Sequence, residues 1–474
     1  MNKFMFISGQ WVGKELEKIP VYNPANGTIV GTIPKGGTEE AKKAIDAASD
    51  AFPTWSQLTV YERSNYLEKL FQLMNKYENE IAEIMALEMG KPMNDSIGEV
   101  KYAASFIKWF SEEGKRVYGR MIPSDRGGKR LQVIKQPVGV VGAITPWNFP
   151  AAMVTRKLGP ALASGCTIVI KPPTETPLTA IRLVELCEEA EIPNGVVNLV
   201  TGRASEIGDE LLTNPKVRKI TFTGSTEVGK LLIQKSVDQV KKLSLELGGH
   251  APILVLEDAD LDIAAKGVLA SKFRNSGQTC IAGNRIYVHE KVYDDFILKF
   301  KELTAKLKVG DPMSIDTDIG PLINQDAYEK VKNHVDDAIG KGALCVLGGE
   351  GEEKNNTYFY QPTILKDVTP DMLIMNEETF GPIAPIQKIY NDDEAIQYAN
   401  DTPFGLAAYV FTESYKRANR IIEQLDFGII GWNDGVPSAA QAPFGGMKQS
   451  GIGREGGIEG IEVFLETKYI SIGY

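Results

Sequence analysis

From about residue 38 to residue 118 the apolar positions recur every three or four residues, the period of a helix with one buried face. Ala41, Ala44, Ile45 and Ala48 form one such stripe, and Leu67, Leu70, Phe71 and Met74 form the next. Thr38 reads as the N-cap of the first helix, with Glu39 and Glu40 in its first turn. Gly90-Lys91-Pro92 ends that run, and a further helix is expected from about Asp95 to Tyr118. Such stripes predict core packing. Before them, residues 1–36 are rich in Gly, Pro and Asn and predict short strands and turns.

The period shortens after Arg130. Leu131 to Gln136 reads as a strand. Val138 to Ile144 is a β-rich apolar run that ends in Thr145-Pro146-Trp147-Asn148-Phe149-Pro150. A helix to about Ser164 leads to Thr167–Ile170, closed by Lys171-Pro172-Pro173-Thr174. The next helix spans about Ala180 to Ala190. Val196 to Val200 with Thr201-Gly202 follows, then Lys219 to Phe222 with Thr223-Gly224-Ser225. Strands alternating with helices predict an α/β fold with a parallel, doubly wound sheet. In such sheets ligands sit beyond the carboxyl ends of the strands, and all four polar segments fall there.

Leu243–Leu247 predicts one more strand, with Glu246 and Gly248-Gly249 at its end. A second α/β section runs from Ala251 to about Gly431. Its strand is Arg285–Val288, and its helices lie near 291–308 and 325–341. The tail Val463–Ile472 is β-like and long for a free terminus, so it requires a partner strand, in this chain or in another subunit.

At 474 residues the chain is too long for one compact core. Its 43% apolar and 24% charged residues are those of an ordinary globular protein. Lys and Arg number 52 against 62 Asp and Glu, a net charge of −10, which argues against a nucleic-acid partner. No apolar run reaches the roughly 18 residues of a membrane span, and the N-terminal apolar run is short for a signal peptide. Cys166, Cys187, Cys280 and Cys345 are far apart and His250, His289 and His334 are the only histidines, so neither a disulfide framework nor a metal site is expected. A reducing cytoplasm suits these features.

Two segments carry candidate chemistry. Gly224 to Lys230 matches G-x-x-x-x-G-K, but Leu231 stands where a phosphate loop needs Ser or Thr for magnesium. A helix starting near Ser225 would still offer N–H groups to a pyrophosphate. The second is Ser271–Arg285, S-K-F-R-N-S-G-Q-T-C-I-A-G-N-R. It sets Cys280 in a polar, Gly-containing stretch with Arg274 before it and Arg285 after it. A thiol so placed is a candidate nucleophile, its thiolate stabilised by nearby guanidinium groups.

Together the motifs resemble the aldehyde dehydrogenase superfamily over nearly the whole chain. They are T-P-W-N-F-P (145–150), K-P-x-x (171–174), F-T-G-S-T-E-V-G (222–229), E-L-G-G (246–249), G-Q-T-C (277–280), E-E-T-F-G-P (377–382) and P-F-G-G (443–446). Each is modest alone, but seven in family order are specific. The resemblance implies Cys280 as nucleophile, the Asn148 amide and the Cys280 N–H as oxyanion donors, and Glu246 as the base that hydrolyses a thioester. It also implies Lys157 and Glu455 in proton movement. Trp147, Lys171, Thr174, Gly224, Ser225, Leu247, Glu378 and Phe380 would line the cofactor.

The resemblance also bears on cofactor and substrate. Relatives that prefer NAD often carry Glu where this chain has Thr174, so repulsion of a 2′-phosphate is absent and NADP is favoured, with NAD open. Within the superfamily the chain is most similar to succinate-semialdehyde dehydrogenases, through F-P-A-A-M-V-T-R-K (149–157), F-R-N-S-G-Q-T-C (273–280) and S-A-A-Q-A-P-F-G-G (438–446). That implies Arg156, Arg274 and Ser438 around the substrate's far carboxylate; structural ion pairs are the alternative for the arginines. Glutarate semialdehyde, a hydroxyaldehyde and a non-catalytic structural relative are the competing readings. Ala282 replaces the second cysteine of a redox-switch disulfide, and His250 follows E-L-G-G where Lys or Asn is usual.

The implied architecture is a Rossmann-like cofactor domain (1–118 and 138–247), an α/β catalytic domain (248–445) and a small β oligomerisation element (119–137 and 458–474). The implied assembly is a homodimer or homotetramer.

Overall fold

A computed structural model describes residues 1–474. The helical stripes are core, as their period predicts: Ala41, Ala44, Ile45 and Ala48 are fully buried, as are Leu67, Leu70 and Met74. The first helix spans Thr38–Gln57, and its N-cap is Gly37 rather than Thr38. The Gly37 N–H donates to the Glu40 carboxylate at 3.0 Å, so a backbone donor and the third helical residue do the capping. The helix Glu78–Met89 stops at Gly90, whose φ of 77° is left-handed.

Two sheets organise the chain. The first has the order Gln10–Val12, Met5–Ile7, Val197–Leu199, Thr167–Lys171, Val140–Ile144, Val217–Thr223, Lys242–Glu246, Gly451–Ile452. The five strands from Val197–Leu199 to Lys242–Glu246 are mutually parallel. All four expected polar segments therefore lie at carboxyl ends on one rim, the crevice side of an open α/β sheet. The last strand comes from beyond residue 445 and pairs antiparallel with Leu245 and Glu246.

The second sheet has the order Leu344–Leu347, Thr363–Lys366, Ile383–Ile389, Gly283–His289, Ala251–Val255, Ala407–Phe411, Ile429–Trp432, parallel except for its first strand. The tail finds its partner in its own chain. Leu465–Gly473 pairs antiparallel with Lys129–Pro137 along its whole length, from Leu465 opposite Pro137 to Gly473 opposite Lys129. With Arg120–Ile122 these strands form a separate three-stranded sheet. No helix is long and apolar enough to cross a membrane.

Candidate active site

The loop before Cys280 is the most unusual backbone in the molecule. After the helix Leu261–Phe273, three consecutive residues are left-handed: Asn275 (φ 53°), Ser276 (φ 56°) and Gly277 (φ 74°). Asn tolerates this region and Ser rarely adopts it, so side-chain bonds hold the turn. The Asn275 N–H donates to Asp95 Oδ2 (2.7 Å), and Ser276 Oγ donates to the Gly320 carbonyl (3.0 Å). Gln278 Oε1 accepts from the Ile323 N–H (3.0 Å). A Cβ on Gly277 would lie 2.2 Å from the Gly381 carbonyl oxygen, so this glycine of G-Q-T-C is required twice over. The turn delivers Cys280 to a position between two cavities.

On one side is a cleft of about 510 Å³, lined by Trp147, Asn148, Thr223, Gly224, Ser225, Leu247, Gly248, Cys280, Glu378 and Phe380 among others. It gathers most of the expected cofactor residues. Ser225 caps the helix Thr226–Ser236, its Oγ accepting from the Val228 N–H, so that helix points its N-terminus into the cleft. Trp147 and Phe380 meet edge to face, 5.5 Å between ring centres. Lys171 and Thr174 do not line this cleft. Lys171 is buried and its ammonium makes no bond within the chain; burial draws its pKa down to about 8, against the pull of Glu175.

On the other side of Cys280 is a neck of about 20 Å³, lined by Phe149, Met153, Arg156, Arg274, Ser438 and Phe444 with Tyr102. It adjoins a vestibule of about 240 Å³ that shares Tyr102, Phe149, Arg274 and Ser438. The three carboxylate-binding candidates thus converge beside the thiol. Arg156 also realises the alternative reading: it is 2% exposed, lies over the Phe444 ring at 3.8 Å, and sets Nε 2.9 Å from Glu455 Oε2.

Asn148 is held by its backbone. Its carbonyl accepts from Lys91 Nζ (2.8 Å) and Asn275 Nδ2 (3.0 Å). Lys91 is buried in an ion pair with Glu99, whose other oxygen accepts from the N–H groups of Ala151 (2.9 Å) and Ala152 (3.1 Å), where the helix Ala152–Ser164 begins. The Asn148 side-chain amide donates to the Gln278 carbonyl at 3.1 Å. The Cys280 N–H makes no backbone bond within the chain.

A model of the aldehyde dehydrogenase family matches residues 11–470. The chain belongs to the aldehyde dehydrogenase family. Its relatives include the NADP(+) succinate-semialdehyde dehydrogenase GabD of Escherichia coli (52% identical, covering 98% of this chain and 97% of that protein). They also include a glutarate-semialdehyde dehydrogenase of Pseudomonas aeruginosa (50% identical, 99% and 97%). A crystal structure of an E. coli NADP-dependent enzyme superposes with a TM-score of 0.98 at 51% identity, over 100% of this chain and 98% of that one.

The cleft of this aldehyde dehydrogenase fits a nicotinamide dinucleotide. A helix N-terminus faces the cleft, and the Trp147 and Phe380 rings wall it. At Gly224 a Cβ would collide with Phe222 Cζ at 2.4 Å. Glu378 accepts the Gly249 N–H (3.2 Å), and burial raises its pKa to about 7.

Behind the thiol, Lys157 Nζ donates to Glu455 Oε1 and to Thr223 Oγ1, each at 2.6 Å. Burial alone would raise Glu455, but Lys157 and Arg156 hold it below the usual carboxylate value. Glu246 lies near this group and lines neither the cleft nor the neck. Its Oε2 is buried without a partner, and a Cβ on Gly445 of P-F-G-G would sit 2.7 Å from its Oε1. Burial first, then the charge of Glu455, pushes the Glu246 pKa well above the ordinary value.

The expected stabilisation of the thiolate by flanking arginines needs correction. Burial pushes the Cys280 thiol up to about 12, while Arg156 and Arg274 oppose the shift. Arg285 takes no part. It donates to the carbonyls of His250 (3.0 Å), Tyr398 (2.8 Å) and Ala399 (2.9 Å), and the second guanidinium beside the thiol is Arg156 instead. His250 is buried, and burial with the nearby Arg285 charge keeps its imidazole neutral, its pKa well below the usual value. Sequence reasoning missed Thr223, Tyr102, Lys91, Glu99 and Asn275 as site residues. It also missed Asp326 and Lys330, which line the cleft from the helix Gln325–Gly340. Only the helix itself was signalled.

Proposed function

We propose that this chain oxidises succinate semialdehyde to succinate with NADP. The observation that carries the substrate reading is the convergence of Arg156, Arg274 and Ser438 on a neck across Cys280 from the cofactor cleft. Two planar guanidinium groups suit a carboxylate, and the narrow neck suits a short chain. Phosphate recognition is supported by Lys171 and by Thr174, which brings no negative charge where a 2′-phosphate would lie.

The chemistry follows from the geometry. Cys280 is protonated at rest, so attack on the aldehyde carbon requires its proton to leave; Glu246, made more basic by burial, is the acceptor. The Asn148 amide and the Cys280 N–H hold the oxyanion of the resulting thiohemiacetal. When bound, the nicotinamide supplies the acceptor for the hydride lost as the thiohemiacetal becomes a thioester. Glu246 hands the proton of the thiol on through Lys157 and Glu455, and, again a carboxylate, takes another from the water that hydrolyses the thioester. The cleft side would be held by Trp147, Gly224, Ser225, Leu247, Glu378 and Phe380.

We assign cofactor binding to the first sheet and its helices (1–118 and 138–247) and the nucleophile to 248–445. The three-stranded sheet is assigned to oligomerisation, because it exposes Met121 (56%), Tyr469 (59%) and Ile472 (40%). A homodimer or homotetramer in the cytoplasm is the expected form, and four free thiols suit that compartment.

The test is nicotinamide reduction with succinate semialdehyde, glutarate semialdehyde and butanal, each with NAD and NADP. The proposal requires the highest kcat/KM for succinate semialdehyde with NADP. Preference for glutarate semialdehyde would keep the carboxylate clamp and move the substrate, and preference for butanal would discard the clamp.

A further inference from the structure

The neck holds two hydroxyl groups that have no partner beyond each other. Tyr102 Oη and Ser438 Oγ are both buried and face each other, and neither has a well-formed hydrogen bond to any other group of the chain. Buried polar groups are nearly always paired, and a native exception calls for an explanation such as a ligand. Phenylalanine would serve the fold as well at position 102, since the ring itself is used, edge to face with Phe106 at 4.9 Å between centres. Only the phenolic oxygen is left without a structural task. It stands in both the neck and the vestibule, beside Arg274 and Ser438 and within the field of Arg156.

The charge arrangement says what such a donor is for. Arg156 is ion-paired with Glu455 through Nε, so part of its charge is spent within the protein, while its Nη2 is buried without a hydrogen-bond partner and stays open to a substrate. Arg274 has no carboxylate within ion-pair distance, although Asp95 lies in the same vestibule. One guanidinium fork satisfies two of roughly four acceptor sites on a carboxylate. The neck, at about 20 Å³, has room for about one water. A carboxylate entering it must therefore take its remaining hydrogen bonds from the walls. Neutral donors do this without adding charge that an uncharged aldehyde would leave unmatched.

We propose that the Tyr102 hydroxyl is a substrate-binding group that, together with Ser438 Oγ, donates to the far carboxylate of a short semialdehyde acid. It thereby helps to set the preference for acid-ended over uncharged aldehydes. This rests on the carboxylate-clamp reading above.

The experiment compares wild type with Tyr102→Phe, using succinate semialdehyde and butanal, with NADP affinity measured by calorimetry as the check that the fold is intact. Succinate is added as an inhibitor competing with the aldehyde. The expected result is a loss of kcat/KM at least roughly tenfold larger for succinate semialdehyde than for butanal, carried by KM, with a parallel rise in the succinate inhibition constant. Equal losses on both aldehydes, or no loss on either, would overturn the assignment of Tyr102 and leave the clamp standing. A wild-type enzyme without preference for the acid-ended aldehyde would overturn the clamp, and this assignment with it.

Discussion

Lys157 donates to Glu455 at 2.6 Å across 298 positions of sequence. One residue comes from the helix Ala152–Ser164, which follows a central strand of the first sheet, and the other lies beyond the second sheet. Their contact closes the chain behind Cys280 and places a buried charge pair next to Glu246.

The first prediction concerns that carboxyl. Because the Glu246 pKa is raised, its acid form dominates at low pH and cannot accept a proton, so thioester hydrolysis should accelerate as pH rises through that pKa. Because Glu246 serves both steps, Glu246→Gln should slow the burst of reduced cofactor as well as lower steady-state turnover by about 10²–10⁴-fold. A variant that turns over like wild type would remove Glu246 from hydrolysis.

A second prediction follows from Lys171, with its pKa near 8. Its charge is present below that value and lost above it, so KM for NADP should rise above about pH 8 while KM for NAD changes less. Thr174→Glu should raise KM for NADP roughly tenfold or more relative to NAD through repulsion of the phosphate. Equal effects on both cofactors would place the 2′-phosphate elsewhere.

Arg274 bears chiefly on substrate, with a smaller effect on the thiol, whose upward pKa shift its charge opposes. Arg274→Ala should raise KM for succinate semialdehyde by about one to two orders of magnitude, as loss of a charge-assisted hydrogen-bond pair implies, with a much smaller effect on butanal. Parallel losses would argue for a structural guanidinium.

The buried Lys91–Glu99 pair should matter for stability as well as geometry. Glu99→Ala removes the counter-charge of buried Lys91, and it frees two N–H groups at a helix start. Urea unfolding should show a loss of about 3–5 kcal/mol. Because Lys91 also holds the Asn148 carbonyl, kcat should fall with stability. A shift below about 0.5 kcal/mol would show that the pair is not structural.

Much of this was legible in one dimension. The 3.6-residue stripes of the first helices and the strand–helix alternation after Arg130 are local consequences of backbone periodicity. They fixed the α/β class and put the polar segments at strand ends. The motif glycines were legible too, because a left-handed turn at Gly277 and a close approach at Gly445 are demands that only glycine meets. The sequence by itself therefore determined the fold class and the family, and singled out Cys280 as the candidate nucleophile.

Which charge faces which group depended on tertiary packing. Arg285 lies five residues from Cys280 yet bonds to distant carbonyls, while Arg156, 124 positions away, stands beside the thiol. The same holds for Lys91 and Asn275 converging on one carbonyl, for Tyr102 in the neck, and for the tail pairing with Lys129–Pro137. Electrostatic and hydrogen-bond energies fall with distance in space and are indifferent to distance along the chain. Burial, which raises Cys280 and Glu246, belongs to the folded whole. Only the tertiary structure could decide these, because only it sets distances and excludes water.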